Sequence, residues 1–160
     1  MIDDMNLIKQ IKFIYKYLRL KTVLLPLGYA PNHEDLVTLE RIFLKGNFNE
    51  ECILIKNANI FDCAYVISHS KCYIGTSLHG AITAISYSIP HTSLVACNRK
   101  LINYMKTWKS TNIFFANVQN LISNIVMLLE NRDIVEKCRK MSINLCKENN
   151  QNIIDIIECS

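Results

Sequence analysis

Short apolar runs alternate with stretches of helical periodicity along almost the whole of this chain, and that alternation restricts its fold more than any other feature. From Asn6 to Leu20 the apolar residues Leu7, Ile8, Ile11, Ile14, Tyr15 and Leu18 recur at three- and four-residue steps, which marks one face of a helix. Thr22 to Leu27 is apolar without alternating, and so predicts a strand buried on both faces. The glycine, proline and asparagine of residues 28–32 predict a loop. A helix over 33–45 follows, with Asn32 as its cap and Glu34 and Asp35 in its first turn.

The series continues with strands expected at 52–55, 71–75, 91–95 and 112–116. Between and after them come helices at 60–68 (capped by Asn59), 80–87, 99–107 and 118–130, and a last one from about 133 to 157 with a break near Asn149. Strands separated by helices of this length form βαβ units with right-handed crossovers. The expected class is therefore α/β: a doubly wound, Rossmann-like parallel sheet of about five strands with helices on both faces. Residues 1–21 form a basic amphipathic helix ahead of a Rossmann-like domain spanning 22–160.

Composition narrows the function classes. At 160 residues the chain is long enough for one core. Its longest apolar stretches, 22–30 and 125–129, fall far short of the roughly 20 residues of a bilayer span. Met1-Ile2-Asp3-Asp4 is acidic where a secretory signal is basic, so a cytoplasmic location is expected. Seven cysteines, odd in number and without a CxxC pair, argue against a disulfide framework and a zinc ribbon, and fit buried free thiols. A net charge of +4 is too small to imply nucleic acid. The excess is concentrated in Lys9, Lys12, Lys16, Arg19 and Lys21, a solvated helix face for which peripheral contact with anionic lipid is the most a membrane role could amount to.

In a sheet of this kind ligands bind at the carboxyl ends of strands, where loops enter helix N-termini. Two loops carry suitable chemistry. After the third strand, Gly75 lets the backbone turn off the strand and Thr76 and Ser77 offer capping hydroxyls. His79 and Gly80 open the next helix, so their amides point outward beside the positive end of its dipole, an arrangement that suits phosphate or carboxylate. The imidazole of His79 adds a group able to donate to an anion or transfer a proton near neutral pH. The same residues equally fit a capped helix with a self-satisfied histidine. After the first strand, Asn32, His33, Glu34 and Asp35 could orient hydroxyls or supply a base, although capping explains all of them but His33. His69 and Cys72 lack a third ligand nearby, which argues against a metal site. His91, directly after Pro90, reads as a packed strand residue. Trp108, the single tryptophan, suits stacking on a sugar or nucleotide, or a place in the core.

The segment from Tyr73 through Gly75-Thr76-Ser77-Leu78-His79-Gly80 to Ala84, followed by Ile89-Pro90-His91, resembles the signature of the polysaccharide pyruvyl transferase family. Leu25 to Asp35, Asn59 to Asp62 and Lys100 to Trp108 resemble further blocks of that family in the same order, so the likeness covers roughly residues 20–110. The resemblance implies transfer of the enolpyruvyl carbons of phosphoenolpyruvate to two hydroxyls of a sugar or glycan, giving a pyruvate ketal and phosphate, in surface polysaccharide biosynthesis and with no cofactor beyond that donor. It implies a GT-B-like pair of Rossmann-like halves facing across a cleft, of which 22–160 matches the C-terminal one. A separate N-terminal-half chain or a homodimer would then complete the cleft, and the chain alone could be inactive. Many members carry arginine two residues before the histidine. Ser77 stands there instead, which leaves Lys100, with Arg99, as the nearest cation in sequence to balance an anion. The carried-over roles are His79 as acid or phosphate ligand, and Gly75, Thr76, Ser77, Gly80, Lys100, Asn32, His33 and Glu34 in substrate or phosphate binding. Two other readings stay open: a glycosyltransferase half whose loops hold a nucleotide diphosphate sugar, and a non-catalytic module that keeps the fold.

Overall fold

The computed structural model describes residues 3–28, 35–94, 99–108 and 116–131, and beyond them residues 133, 136, 137, 139–141, 143, 144, 147, 148 and 151. Helix α1 (Asp4–Phe13) starts where Asp3 accepts the N–H groups of Met5 and Asn6, at 3.1 and 3.3 Å. Leu7, Ile8, Ile11 and Ile14 are buried, while Lys9, Lys12, Lys16, Arg19 and Lys21 are all exposed, as the periodicity predicts. The helix widens into a π-helical turn at Ile14–Leu18 and ends on Arg19, whose φ is 55°. Asp4 holds α2 (Asp35–Gly46) through Arg41 at 2.9 Å and Lys45 at 3.0 Å, and these two cations keep its carboxyl below the usual range.

The strands are shorter than expected. They are β1 (Thr22–Leu24), β2 (Cys52–Leu54), β3 (Tyr73–Gly75) and β4 (His91–Ser93). They pair in parallel as β1 with β2, Thr22 opposite Cys52, and β3 with β4, Tyr73 opposite His91. The class is thus α/β with parallel pairing, but the described strands make two pairs instead of one continuous five-stranded sheet. β1 stops early because Pro26 has no N–H to give to a ladder. The expected fifth strand falls mostly outside the described residues. Its last residue, Ala116, donates to Ser93 O at 2.7 Å and so lies along β4.

Helices α3 (Ile60–Ser68), α4 (Leu78–Ser86), α5 (Arg99–Trp108) and α6 (Leu121–Glu130) complete the order, and the described residues from 133 to 151 are helical. A full capping box starts α3: Asn59 accepts from Phe61 and Asp62, and Asp62 accepts from the Asn59 N–H. α1 packs on α2 and α6, whereas α4 packs on both α3 and α5. The main core joins Leu7, Ile11, Leu24, Ile42, Cys52 and Ile125. Arg139 Nε donates to Ser86 O at 3.0 Å and Ser88 Oγ donates to Glu136, which ties the C-terminal helical residues to the end of α4. Among the described residues no helix is long and apolar enough to cross a membrane.

Burial reverses the expectation for the first strand and bears out that for His91 in the fourth. The apolar β1 is not covered on both sides: Val23 and its register partner Ile53 are exposed, while Leu24 and Cys52 are buried in the core and Leu54 packs against it. The polar β4 is buried at all three positions, with β3 paired along one edge and Ala116 hydrogen-bonded to Ser93 O. His91 is 0 % exposed; its Nδ1 lies 3.1 Å from Ile89 O, and its Nε2 has no hydrogen-bond partner among the described residues.

Burial therefore pushes the His91 pKa below 6.5, against a smaller raising effect of Ile89. The unfolded chain then takes up the proton first. Stability should be level above pH 6.5 and fall below it, by up to about 1.4 kcal/mol per pH unit. Urea unfolding between pH 7.5 and 5 checks this, and His91→Leu should flatten that part of the curve.

Candidate functional site

Two loops meet at the carboxyl ends of β1 and β3. On the β1 side, Asp35 Oδ2 accepts from the N–H groups of Leu27 at 3.2 Å and Gly28 at 2.9 Å, so the first residue of α2 clamps the chain leaving the strand. On the β3 side, Ser77 caps α4: Gly80 N–H donates to its Oγ at 3.4 Å and Ala81 N–H to its backbone oxygen at 3.2 Å. This adjusts the expected amide pair. Gly80 spends its N–H on the cap, and the outward amides of the first turn belong to Leu78 and His79.

Tyr73 welds the loop together. An alanine Cβ at Gly75 would sit 2.3 Å from its hydroxyl, and one at Gly80 would sit 2.1 Å from the same atom and 2.7 Å from Leu27 Cδ1. No described glycine has a positive φ, so Gly75 is required for close approach to the phenol and not for an unusual turn. Burial first, and then the charge of Asp35, push the Tyr73 pKa above the usual range, which keeps it a neutral strut.

His79 is exposed on the first turn of α4, where its backbone oxygen accepts from Thr83 Oγ1 at 2.9 Å. Lys100 is exposed in the first turn of α5. The two turns are neighbours because Leu101, 1 % exposed, packs on Ala81 with Leu78 and Tyr104 around them. Gly75, Thr76, Ser77 and Asp35 also line a cavity of about 580 Å³ between β1 and β3, within the size range of small-molecule sites. Neither His79 nor Lys100 is among its lining residues, so both stand outside it.

A family model described as polysaccharide pyruvyl transferase matches residues 3–98, more than half of the 160. The chain belongs to the polysaccharide pyruvyl transferase family. No curated protein and no solved structure gives a significant match. The matched region contains both loops, from Leu25 to Asp35 and from Gly75 to Gly80, so the corner built by Asp35, Tyr73 and the start of α4 belongs to a pyruvyl transferase-like domain.

In this member of the family, Gly75, Thr76, Ser77, His79 and Gly80 share one corner, and Lys100 is joined to it through the Leu101 contact. Asn32, His33 and Glu34 lie outside the described residues. His69 is engaged by its own helix end: Nδ1 lies 2.9 Å from Tyr65 O, and the ring stacks on Tyr65 at 4.1 Å. Among the described residues no group of three His, Cys, Asp or Glu is placed to hold a metal ion. Cys52, Cys63 and Cys72 are thiols outside any disulfide, and burial pushes the Cys52 thiol up to about 12 and raises that of Cys63, which keeps both unreactive. Two positioning residues escape a sequence reading. Tyr73 is the first, although its i, i+2 relation to Gly75 puts both on one side of a strand. Asp35 is the second: its place in a helix start accounts for it without revealing the Leu27–Gly28 clamp.

Proposed function

We propose that this domain takes phosphoenolpyruvate as donor and passes its pyruvyl carbons to two hydroxyls of a sugar or glycan, giving a pyruvate ketal for surface polysaccharide. The observation that carries the reading is the exposed imidazole of His79 on the first turn of α4, inside the family-matched region and beside the Leu78 and His79 amides. The donor phosphate sits at that helix start, where dipole and amides favour an anion, and Lys100 supplies charge in place of the arginine that Ser77 replaces. Phosphoenolpyruvate is a substrate here, and no resident cofactor is invoked.

The chemistry follows from the donor. A proton goes to the methylene carbon of the vinyl phosphate and leaves an oxocarbenium-like centre at C2. One sugar hydroxyl adds there and gives up its proton. The second hydroxyl then forms the other C–O bond as the C2–O bond to phosphate breaks; phosphate departs with the electron pair and takes up the proton that this hydroxyl loses. His79 supplies the first proton or holds the phosphate, and the loop amides stabilise the leaving oxygens. Asn32, His33 and Glu34 orient the sugar, and a facing half supplies the acceptor side of a GT-B-like cleft. The reaction takes place in the cytoplasm, with at most peripheral membrane contact through the basic face of α1.

Ligand-dependent melting tests the reading without turnover. Phosphoenolpyruvate at about 100 times its dissociation constant should stabilise the fold by roughly 2.7 kcal/mol, a rise of about 5–10 °C in Tm. A rise with nucleotide diphosphate sugars and none with phosphoenolpyruvate would assign the loops to glycosyl transfer instead.

A further inference from the structure

The cavity between β1 and β3 extends well past the catalytic corner. It runs the length of the strands, from Asp35 and Ser77 at their carboxyl ends to Arg19–Lys21 and His69–Cys72 at their amino ends. Its lining between those ends is aliphatic, the part-exposed Leu20, Leu25, Leu39 and Ile74 backed by the buried Ile11, Leu24 and Ile42. Its ends are electrically unlike. The amino-end mouth gathers Arg19, Lys21 and Lys71, all exposed, whereas Asp35 is the carboxylate of the described lining and sits at the far end. Asp35 is already committed there to the amides of Leu27 and Gly28. Two backbone irregularities converge on the basic mouth: the π-helical turn Ile14–Leu18, and Arg19 held at φ 55°. Such irregularities concentrate at functional positions.

We infer that this slot binds a single-chain anionic amphiphile. The alkyl chain lies along the aliphatic wall between the strand pairs, and the head group meets Arg19, Lys21 and Lys71. An apolar cavity of about 580 Å³ gives water few partners and an alkyl chain many contacts. The three cations at one mouth choose the sign of the head group and its direction of entry. The head-group mouth lies at the opposite end of the slot from Ser77, His79 is not among the lining residues, and the inference rests on no part of the transferase reading.

Calorimetric titration with monomeric dodecanoate, below its micelle concentration, tests the site, with dodecanol as the uncharged control. Wild type should bind dodecanoate saturably at one site and dodecanol more weakly. Joint Arg19→Glu and Lys21→Glu should weaken dodecanoate about tenfold and leave dodecanol unchanged. Leu39→Trp, which fills the slot, should abolish both; Thr38→Phe makes the same measurement if Leu39→Trp does not fold. No saturable binding by wild type overturns the inference, as does unchanged binding to a folded slot-filled variant. Equal losses for both ligands on charge reversal overturn the head-group assignment. Binding to anionic vesicles without binding to monomer also overturns the site, since it assigns the affinity to the basic surface of α1.

Discussion

Alanine at position 80 is expected to destabilise the domain by about 2 kcal/mol and lower its Tm by roughly 6 °C. A methyl group at a solvent-exposed helix start would do the opposite, since alanine is favoured over glycine in helices by up to about 1 kcal/mol. The site decides the sign. The added Cβ would lie 2.1 Å from the Tyr73 hydroxyl, 2.4 Å from the ring carbon that bears it and 2.7 Å from Leu27 Cδ1. A phenol ring cannot bend away as an aliphatic chain does, and the Tyr73 hydroxyl faces both glycines at once. Gly75→Ala meets the same hydroxyl at 2.3 Å and should behave alike. A double-mutant cycle isolates the cause. Tyr73→Leu, costly by itself, should remove most of the added penalty of Gly80→Ala, and urea unfolding of the four proteins measures it. Additive losses would mean that the two residues do not press on each other.

The contrast between the two helix starts shows what the chain discloses before it folds. Asn59 and Asp62 advertise a capping box through local spacing alone, and the box forms. Ser77 advertises its cap in the same way, and the family signature around His79 is legible because it too is contiguous. The basic and apolar faces of α1 follow from periodicity. Tyr73 is different: its role depends on two glycines that come together only when β3 hands over to α4. The burial of β1 is hidden from the sequence for a related reason. Hydrophobicity says what a residue tolerates, but the neighbours of its strand decide what it receives. Apolar Val23 and Ile53 stay exposed on the pair β1–β2, while His91, Thr92 and Ser93 are buried beside β3, with Ala116 bonded to Ser93. The separation of the strands into two pairs, and hence the cavity between β1 and β3, is likewise a property of long-range packing.

His79→Ala should lower turnover on the order of a hundredfold or more in an enzyme with a complete cleft, and leave the fold intact. The second half of that expectation follows from geometry. His79 is exposed, and the hydrogen bond it accepts from Thr83 Oγ1 uses its backbone oxygen, which alanine keeps. Alanine is also the better helix former, so Tm should not fall. The first half follows from what the vinyl phosphate demands: a proton at carbon, and compensation for the charge of the departing phosphate. The two roles separate kinetically. Loss of a proton donor lowers kcat with little change in the affinity for phosphoenolpyruvate, whereas loss of a phosphate ligand raises KM and abolishes the thermal stabilisation by the donor. Lys100→Ala should show only the second pattern, because a lysine beside the helix start contributes charge to binding. Wild-type turnover by His79→Ala would remove the imidazole from the reaction and leave the corner at Ser77 as a well-capped helix.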